Sequence, residues 1–240
     1  LALPGLPAVV RHRGQQARCE CVMQLSLLDY NTGPSAWAGI TPRAWQRHAL
    51  PKALDCIDRN GRGIVSAVMG SGKSVFLAEL LRMRPAPRGS VNVVTTPTVR
   101  LVEQLADTCR QRGLDAGMYY THAKDIRAVT VCCHPSLPAL VAELKERGLS
   151  VNVWISDETH KSNAESVITS SGLLAYRSAI GCTATPFRSN ERESLVLWNE
   201  LLHEYSASEA FRDGVVVPPE LVLWNGGEAR LDDEIGRAHV

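Results

Sequence analysis

The chain has 240 residues, of which 45% are hydrophobic and 21% are charged, and these proportions are typical of a globular protein. Its formal net charge is only +1, so the composition gives no sign of the broadly basic surface that many nucleic-acid-binding proteins carry. No apolar run reaches the roughly 18 residues that a membrane-spanning helix needs, so the sequence predicts no association with a membrane.

The seven cysteines have irregular spacing, and no two of them form a Cys-x-x-Cys pair. This pattern argues against a zinc site or a thioredoxin-like redox site. It favours free thiols in a reducing compartment, and we therefore expect the protein to be cytoplasmic.

The two ends of the chain differ in character from its middle. Residues 1–39 are predicted to be a separate N-terminal segment, because the part before Met23 has no periodicity and Met23 opens a run that looks like a natural start. Ile235–Val240 matches what one frame of a common sequencing adapter encodes. We therefore expect residues 224–240 to end in a non-native stretch and the natural protein to continue further.

Between these ends, short apolar runs alternate with stretches of helical periodicity. The runs predicted to be strands are Ile64–Met69, Val91–Thr95, Ala128–Cys133, Val151–Ser156 and Ser178–Cys182. The stretches predicted to be helices are Lys73–Arg84, Val99–Arg112, Leu137–Arg147 and Leu195–Tyr205. This alternation predicts an α/β fold with a mostly parallel sheet and helices on both faces. Such sheets bind ligands beyond the carboxyl ends of their strands, which makes those loops the candidate sites.

The loop after the first predicted strand reads Ala67-Val-Met-Gly-Ser-Gly-Lys-Ser74 and leads into a helix. This is the pattern and the setting of a phosphate-binding Walker A loop, although Ala67 stands where the general pattern has glycine. The residues predicted to hold the phosphates are Gly70, Ser71, Gly72, Lys73 and Ser74. Lys73 would reach the β- and γ-phosphates, and Ser74 would ligate Mg²⁺. The alternative is a glycine-rich turn before an ordinary helix, but the fixed offsets of the glycines, lysine and serine between a strand and a helix favour the phosphate loop.

An acidic pair, Asp157 and Glu158, follows the predicted strand Val151–Ser156 directly. A carboxylate at the tip of a strand beside a phosphate loop is the Walker B arrangement, in which Asp157 would hold Mg²⁺. Glu158 would then position and deprotonate the attacking water. An acidic residue after a strand is also a common helix N-cap, but the preceding phosphate loop favours the catalytic interpretation.

Three motifs occur in the order that they have in superfamily 2 helicases, which the chain resembles. They are Ala-x-x-Gly-x-Gly-Lys-Ser at 67–74, Asp-Glu-Thr-His at 157–160 and Thr-Ala-Thr-Pro at 183–186. The segment Ile180–Arg188 looks most like DEAD/DEAH-type helicases and type III restriction subunits. Residues 41–46, 95–103 and 211–218 resemble further family segments. The resemblance spans residues 40–223, where it predicts one helicase ATP-binding domain.

This resemblance implies a RecA-like P-loop NTPase domain that uses ATP and Mg²⁺. Gln46 would read the edge of the adenine, with Arg43 nearby, although Gln46 is also compatible with a helix surface. Trp45 is expected in the core and not stacked on the base. Thr183 and Thr185 would couple the nucleotide state to domain motion. The residues implied to contact the nucleic-acid backbone are Thr96, Thr98 and Arg100.

The function implied is that of an ATP-dependent helicase or translocase on nucleic acid. DNA is favoured over RNA, because Thr-Ala-Thr-Pro-Phe-Arg at 183–188 looks like DNA-directed relatives. In the family, ATP lies between two RecA-like domains, and the second is missing from this chain. The alternatives are a motor subunit of a restriction–modification system and a nucleotide-gated nucleic-acid-binding module without unwinding. The sequence gives no prediction of the oligomeric state.

Overall fold

The computed structural model describes residue 37 and residues 39–159, 174–184 and 198–217. Both predicted terminal segments lie almost entirely outside these ranges, as do Met23, Thr185 and Arg188. Within the described ranges, no helix is both long enough and apolar enough to cross a membrane.

An eight-stranded sheet forms the centre of the molecule. Its strands are β1 (Arg62–Ala67), β2 (Ser90–Thr96), β3 (Ala116–Tyr120), β4 (Ala123–Lys124), β5 (Val129–Cys133), β6 (Ser150–Asp157), β7 (Tyr176–Thr183) and β8 (Glu200–Tyr205). Their order across the sheet is β4-β3-β5-β2-β6-β7-β1-β8. Every pair is parallel except β3 with β4, which confirms the predicted mostly parallel α/β sheet.

Helices cover both faces of this sheet. They are α1 (Ala44–Asp58), α2 (Lys73–Met83), α3 (Val99–Gln111), α4 (Leu137–Glu146) and the short α5 (Ala207–Arg212). Successive strand residues point to opposite faces, so Val94 joins a core cluster with α1, α2 and α3, whereas Val93 joins a second cluster with α4. The continuous apolar runs in the sequence therefore correspond to strands that are buried on both sides.

The predicted helix over Leu195–Tyr205 is wrong where the structure describes it, because Glu200–Tyr205 is strand β8. The pairing of β8 with β1 shifts at Leu202, which forms a β-bulge. The bulge leaves the buried side chains of Leu202 and Tyr205 three residues apart, a spacing that imitates the helical period. Leu202 covers Gly63 so closely that a Cβ there would lie 2.5 Å from Leu202 Cδ1.

Candidate functional site

The predicted phosphate loop and acidic pair follow strands that end at the same edge of the sheet. Asp157, the last residue of β6, lies opposite Cys182 of β7, and Thr183 lies opposite Ser66 of β1. Because β7 separates β1 from β6, the two outer strand ends are about 10 Å apart, given neighbouring strands about 4.8 Å apart. The loop after β1 and the acids after β6 therefore border one common space.

Two glycines give the phosphate loop its shape. Gly70 has φ +73° and Gly72 has φ +90°, both in the left-handed region that other residues adopt only with strain. Gly72 is also the N-cap of α2, so no side chain caps the first N–H groups of this helix. Uncapped N–H groups at a helix N-terminus are suited to bind the oxygen atoms of a phosphate.

The start of α1 holds the outer side of this loop. Three successive loop carbonyl groups accept hydrogen bonds: Gly70 O from Arg43 Nη1 (3.0 Å), Ser71 O from Trp45 Nε1 (3.1 Å) and Gly72 O from Gln46 Nε2 (3.0 Å). These bonds keep the carbonyl groups turned toward α1. Because a peptide plane is rigid, they also constrain the direction of the neighbouring N–H groups.

Gln46 uses both ends of its amide in these contacts. Its Oε1 accepts a hydrogen bond from Arg43 N at 2.8 Å while its Nε2 donates to Gly72 O, and 3% of the residue is exposed. The adenine-reading role of Gln46 and Arg43 stays a prediction. Trp45 is buried as expected, and it packs against Phe76 of α2.

Lys73 and Ser74 are the first two residues of α2, and both are partly buried. The Lys73 ammonium donates hydrogen bonds to Ala67 O at 3.1 Å and to Val68 O at 3.3 Å, and it therefore lies inside the curve of the loop. Its helix begins at the same end of the sheet as Asp157, and its positive charge partly opposes the rise in the pKa of Asp157 that burial causes. This is the position from which an ammonium group can reach phosphate oxygens.

Asp157 is buried beneath this space, with 8% of its surface exposed. Burial, and next the charge of Glu158, raise the pKa of its carboxyl group to about 6 from an ordinary value of 3.8. Among the described residues, none donates a hydrogen bond to its Oδ1. A buried carboxylate oxygen without a donor is costly for the fold alone, and a bound cation would compensate it.

These residues fit Mg²⁺ together with a nucleoside triphosphate. The carboxylate of Asp157 and the hydroxyl of Ser74 are oxygen ligands of the kind that Mg²⁺ prefers. The loop N–H groups and Lys73 match the negative charge of the phosphates. Buried Ser71 Oγ also has no hydrogen-bond partner in the described part of the chain.

A family profile now identifies the chain. The profile of the SWI2/SNF2 ATPases matches residues 45–234, which is most of the chain and includes both the loop and the acidic pair. The chain belongs to the SWI2/SNF2 ATPase family. This membership confirms the resemblance to superfamily 2 helicases, whereas the finer likeness to DEAD/DEAH-type proteins stays a prediction.

Known relatives of this SWI2/SNF2 ATPase are distant in sequence. It is 25% identical over 225 residues to the uncharacterized protein ML1624 of Mycobacterium leprae (strain TN), a match that covers 82% of this chain and 36% of that protein. The chain thus spans about a third of the length of this relative.

Solved structures share its fold. An ATP-dependent Type ISP restriction–modification enzyme, LlaBIII bound to DNA, is 15% identical with a TM-score of 0.57, covering 73% of this chain and 16% of that one. The Sulfolobus solfataricus SWI2/SNF2 ATPase core in complex with dsDNA is 12% identical with a TM-score of 0.54, covering 65% and 34%. A nuclease-deletion mutant of the Type ISP enzyme LlaGI, in complex with a DNA substrate mimic, is 17% identical with a TM-score of 0.57, covering 72% and 18%.

Of the predicted coupling and nucleic-acid residues, those that the structure describes lie at the same end of the sheet in this SWI2/SNF2 ATPase. Thr183 ends β7 and is buried, whereas Thr185 lies outside the described residues. Thr96 is buried and donates to Thr98 O at 3.2 Å, and Thr98 Oγ1 caps α3 by accepting from Leu101 N. Arg100 is exposed on the first turn of α3. Contact of these residues with nucleic acid stays a prediction.

Two residues of the site were not among the predicted functional residues. Trp45 holds the phosphate loop, and Thr159 binds the ends of both β6 and β7 through its hydroxyl. Trp45 lies beside Gln46, and Thr159 follows the acidic pair, so proximity to the motifs was the only available signal. Neither tryptophan nor threonine is a residue type that by itself indicates a catalytic or binding site.

Proposed function

We propose that this protein hydrolyses ATP to drive movement along nucleic acid, with DNA as its track. The observation that carries the proposal is that the Lys73 loop, which follows β1, and Asp157, which ends β6, border the same end of the sheet in a SWI2/SNF2 ATPase domain. A lysine in a loop shaped for phosphate, with an acidic pair across β7 from it, supplies the groups that phosphoryl transfer to water requires.

Each group has a distinct role in this reaction. The loop N–H groups and Lys73 bind the phosphate oxygens and fix the position of the γ-phosphate. Ser74 and Asp157 would hold Mg²⁺, which would neutralise negative charge on the phosphates. Glu158 orients the attacking water and accepts its proton. The protein's main contribution is therefore placement and electrostatic stabilisation.

DNA is the preferred track for two reasons. The Thr-Ala-Thr-Pro-Phe-Arg segment resembles DNA-directed relatives, and the three similar solved structures are described as bound to DNA, to dsDNA and to a DNA substrate mimic. The exposed Arg100, on the first turn of α3, is a suitable contact for a phosphate backbone.

The test is steady-state ATP hydrolysis by the protein at the full length that its gene encodes. It is run without polymer, with single-stranded DNA, with duplex DNA and with RNA. We expect stimulation by DNA, and loss of about 100-fold or more of the hydrolysis rate in Lys73→Ala, because a charge that stabilises the transition state is removed. Arg88→Ala serves as a control, since this exposed residue lies between α2 and β2, away from the site.

Each outcome assigns a different function. Hydrolysis that needs Lys73 and responds to DNA supports the motor. Hydrolysis that needs Lys73 but ignores every polymer favours the nucleotide-gated binding module. Hydrolysis that is unchanged in Lys73→Ala contradicts the proposed site.

A motor subunit of a restriction–modification system is a second candidate. Two of the similar solved structures are Type ISP restriction–modification enzymes, and this chain covers only 16% and 18% of them. The two candidates share the ATP site, so cleavage of DNA by the full-length protein in the presence of ATP separates them.

A further inference from the structure

The hydroxyl group of Thr159 is buried between the ends of two strands. The residue is 2% exposed, and its Oγ1 lies 2.8 Å from Ser156 O on β6 and 3.1 Å from Cys182 O on β7. A threonine hydroxyl has one hydrogen, so it donates to both carbonyl groups through a shared bond or to each in turn. Thr159 therefore ties β6 to β7 just past Asp157, the last residue of β6 that pairs with β7.

The same bond encloses a strained residue. Glu158 has φ +53°, and it lies between the two residues that the Thr159–Ser156 hydrogen bond joins. A left-handed conformation costs a residue other than glycine on the order of 1 kcal/mol or more, and it persists only where surrounding contacts hold it. Asp157 lies inside the same turn, so the bond between Thr159 and Ser156 orders the backbone of both acids together.

The neighbouring strand, β7, leaves space for the Thr159 hydroxyl. Gly181 lies beside it on β7, and a Cβ at Gly181 would be 2.8 Å from Thr159 Oγ1. A side chain at Gly181 would thus displace the hydroxyl from its position near Cys182 O. The absence of a side chain at Gly181 thus matches the position of the Thr159 hydroxyl. Thr183 lies two residues beyond Gly181, at the end of β7.

We propose that Thr159 is a positioning residue that holds Glu158 in its left-handed conformation and joins the acidic turn to β7. This inference rests on the proposed ATP hydrolysis. Thr159 acts through Glu158, because Glu158 must face the water that attacks the γ-phosphate. Loss of the hydroxyl lets the turn relax, so the chemical step slows while nucleotide binding, which depends on the loop after β1, is retained.

The test compares Thr159→Val, which keeps the shape of the side chain and removes the donor, with Thr159→Ser, which keeps the donor. In the full-length protein with DNA, we expect the kcat of Thr159→Val to fall about 10-fold, the effect of one lost hydrogen bond expressed only in the transition state. We expect its KM for ATP to stay within about twofold and Thr159→Ser to recover most of the rate.

Thr130→Val is the matched control for a loss of stability. Thr130 lies on β5 and is also fully buried, and its hydroxyl accepts a hydrogen bond from Arg127 N (3.1 Å) and donates to Arg127 O (2.9 Å), away from the acidic pair. It should lower the melting temperature as Thr159→Val does, with kcat unchanged. Should Thr159→Val fail to fold, Thr159→Cys replaces it, and its kcat is expected to fall below that of Thr159→Ser, because a thiol is a weaker donor than a hydroxyl.

The outcomes separate this inference from the proposed function. A wild-type protein without Lys73-dependent hydrolysis overturns the proposed function itself. An active wild type, with Thr159→Val or a folded Thr159→Cys at the wild-type kcat, overturns the role of Thr159 alone. An equal fall of kcat in Thr130→Val also overturns it, because the effect would then follow from lost stability.

Discussion

Asp157 combines two properties that oppose each other in the nucleotide-free fold, burial and negative charge. Its pKa of about 6 means that the folded protein takes up a proton on this group more readily than the unfolded chain does. Above pH 6 the group is ionised in both states, and its burial destabilises the fold. Below pH 3.8 it is protonated in both states, and this cost is absent. The fold thus tolerates a buried negative charge that a bound cation would stabilise.

Asp157→Asn should therefore stabilise the nucleotide-free protein at pH 8 by about 3 kcal/mol, because the amide carries no charge to bury. The difference should shrink as the pH falls below 6 and become small below pH 3.8. Chemical denaturation at several pH values measures it. Asp107→Asn, on the exposed surface of α3, should stay within about 0.5 kcal/mol of wild type throughout.

Binding of Mg²⁺–ATP should act against this difference in stability between the wild type and Asp157→Asn. Mg²⁺–ATP should raise the melting temperature of the wild type and not that of Asp157→Asn, since the substitution removes a carboxylate ligand. A stabilised Asp157→Asn variant that still binds Mg²⁺–ATP as well as wild type would contradict the assignment of Asp157 to the metal.

At the scale of elements, the phosphate loop depends on α1 as much as on its own glycines. Trp45 donates to Ser71 O and stacks against Tyr205 of β8, with ring centroids 5.7 Å apart. It therefore connects the loop to β8, the outermost strand of the sheet. Tyr205 in turn donates to Asp213 at 3.0 Å. The loop is thus ordered before the nucleotide arrives, which reduces the entropy cost of binding.

Trp45→Phe should therefore weaken Mg²⁺–ATP binding about 5- to 10-fold, because the ring is kept while the hydrogen bond to the loop is lost. Calorimetric titration measures the affinity. Trp154→Phe is the matched control: Trp154 is also fully buried, and its Nε1 donates to Thr95 Oγ1 at the same distance, 3.1 Å, away from the loop. Equal affinities of the two variants would contradict a role of Trp45 in ordering the loop.

The sequence predicted elements best where one local rule decided the structure. The strand Val151–Ser156 is β6 with one more residue at each end, and the helix Lys73–Arg84 is α2 within one residue. The helix predicted over Leu195–Tyr205 is wrong over Glu200–Tyr205, a strand in which a β-bulge at Leu202 leaves buried side chains at a spacing that resembles a helical period. A bulge depends on the partner strand, which periodicity within one segment does not reveal.

The residues of the candidate site likewise fall into those that the sequence predicted and those that it did not. Glycine, lysine and acidic residues at fixed offsets indicated the loop and the acidic pair, since those residue types are needed for the chemistry. Trp45 and Thr159 act through hydrogen bonds to backbone carbonyl groups that are distant in sequence, or that lie on another strand. Such contacts follow from the fold and leave no pattern in the sequence.

At the scale of the whole molecule, the site lies at the open edge of one sheet. The phosphate loop, the acids and Thr183 all belong to a single domain, and the resemblance to superfamily 2 helicases implies ATP held between two RecA-like domains. This domain carries the groups that we propose to bind phosphate and Mg²⁺, so we expect binding to survive in this chain alone. The second domain would exclude water and add charge to the transition state, so hydrolysis should depend on it.

We therefore expect the 240-residue chain alone to bind Mg²⁺–ATP weakly and to hydrolyse it far more slowly than about 10 s⁻¹, the typical turnover of an enzyme. Binding is measured by the rise in melting temperature with Mg²⁺–ATP, and turnover by phosphate release with and without DNA. Lys73→Ala should abolish the rise in melting temperature, which would show that the weak binding takes place at this site. Ordinary, DNA-stimulated turnover by the isolated chain would contradict the prediction, because it would mean that one domain completes the catalytic site by itself.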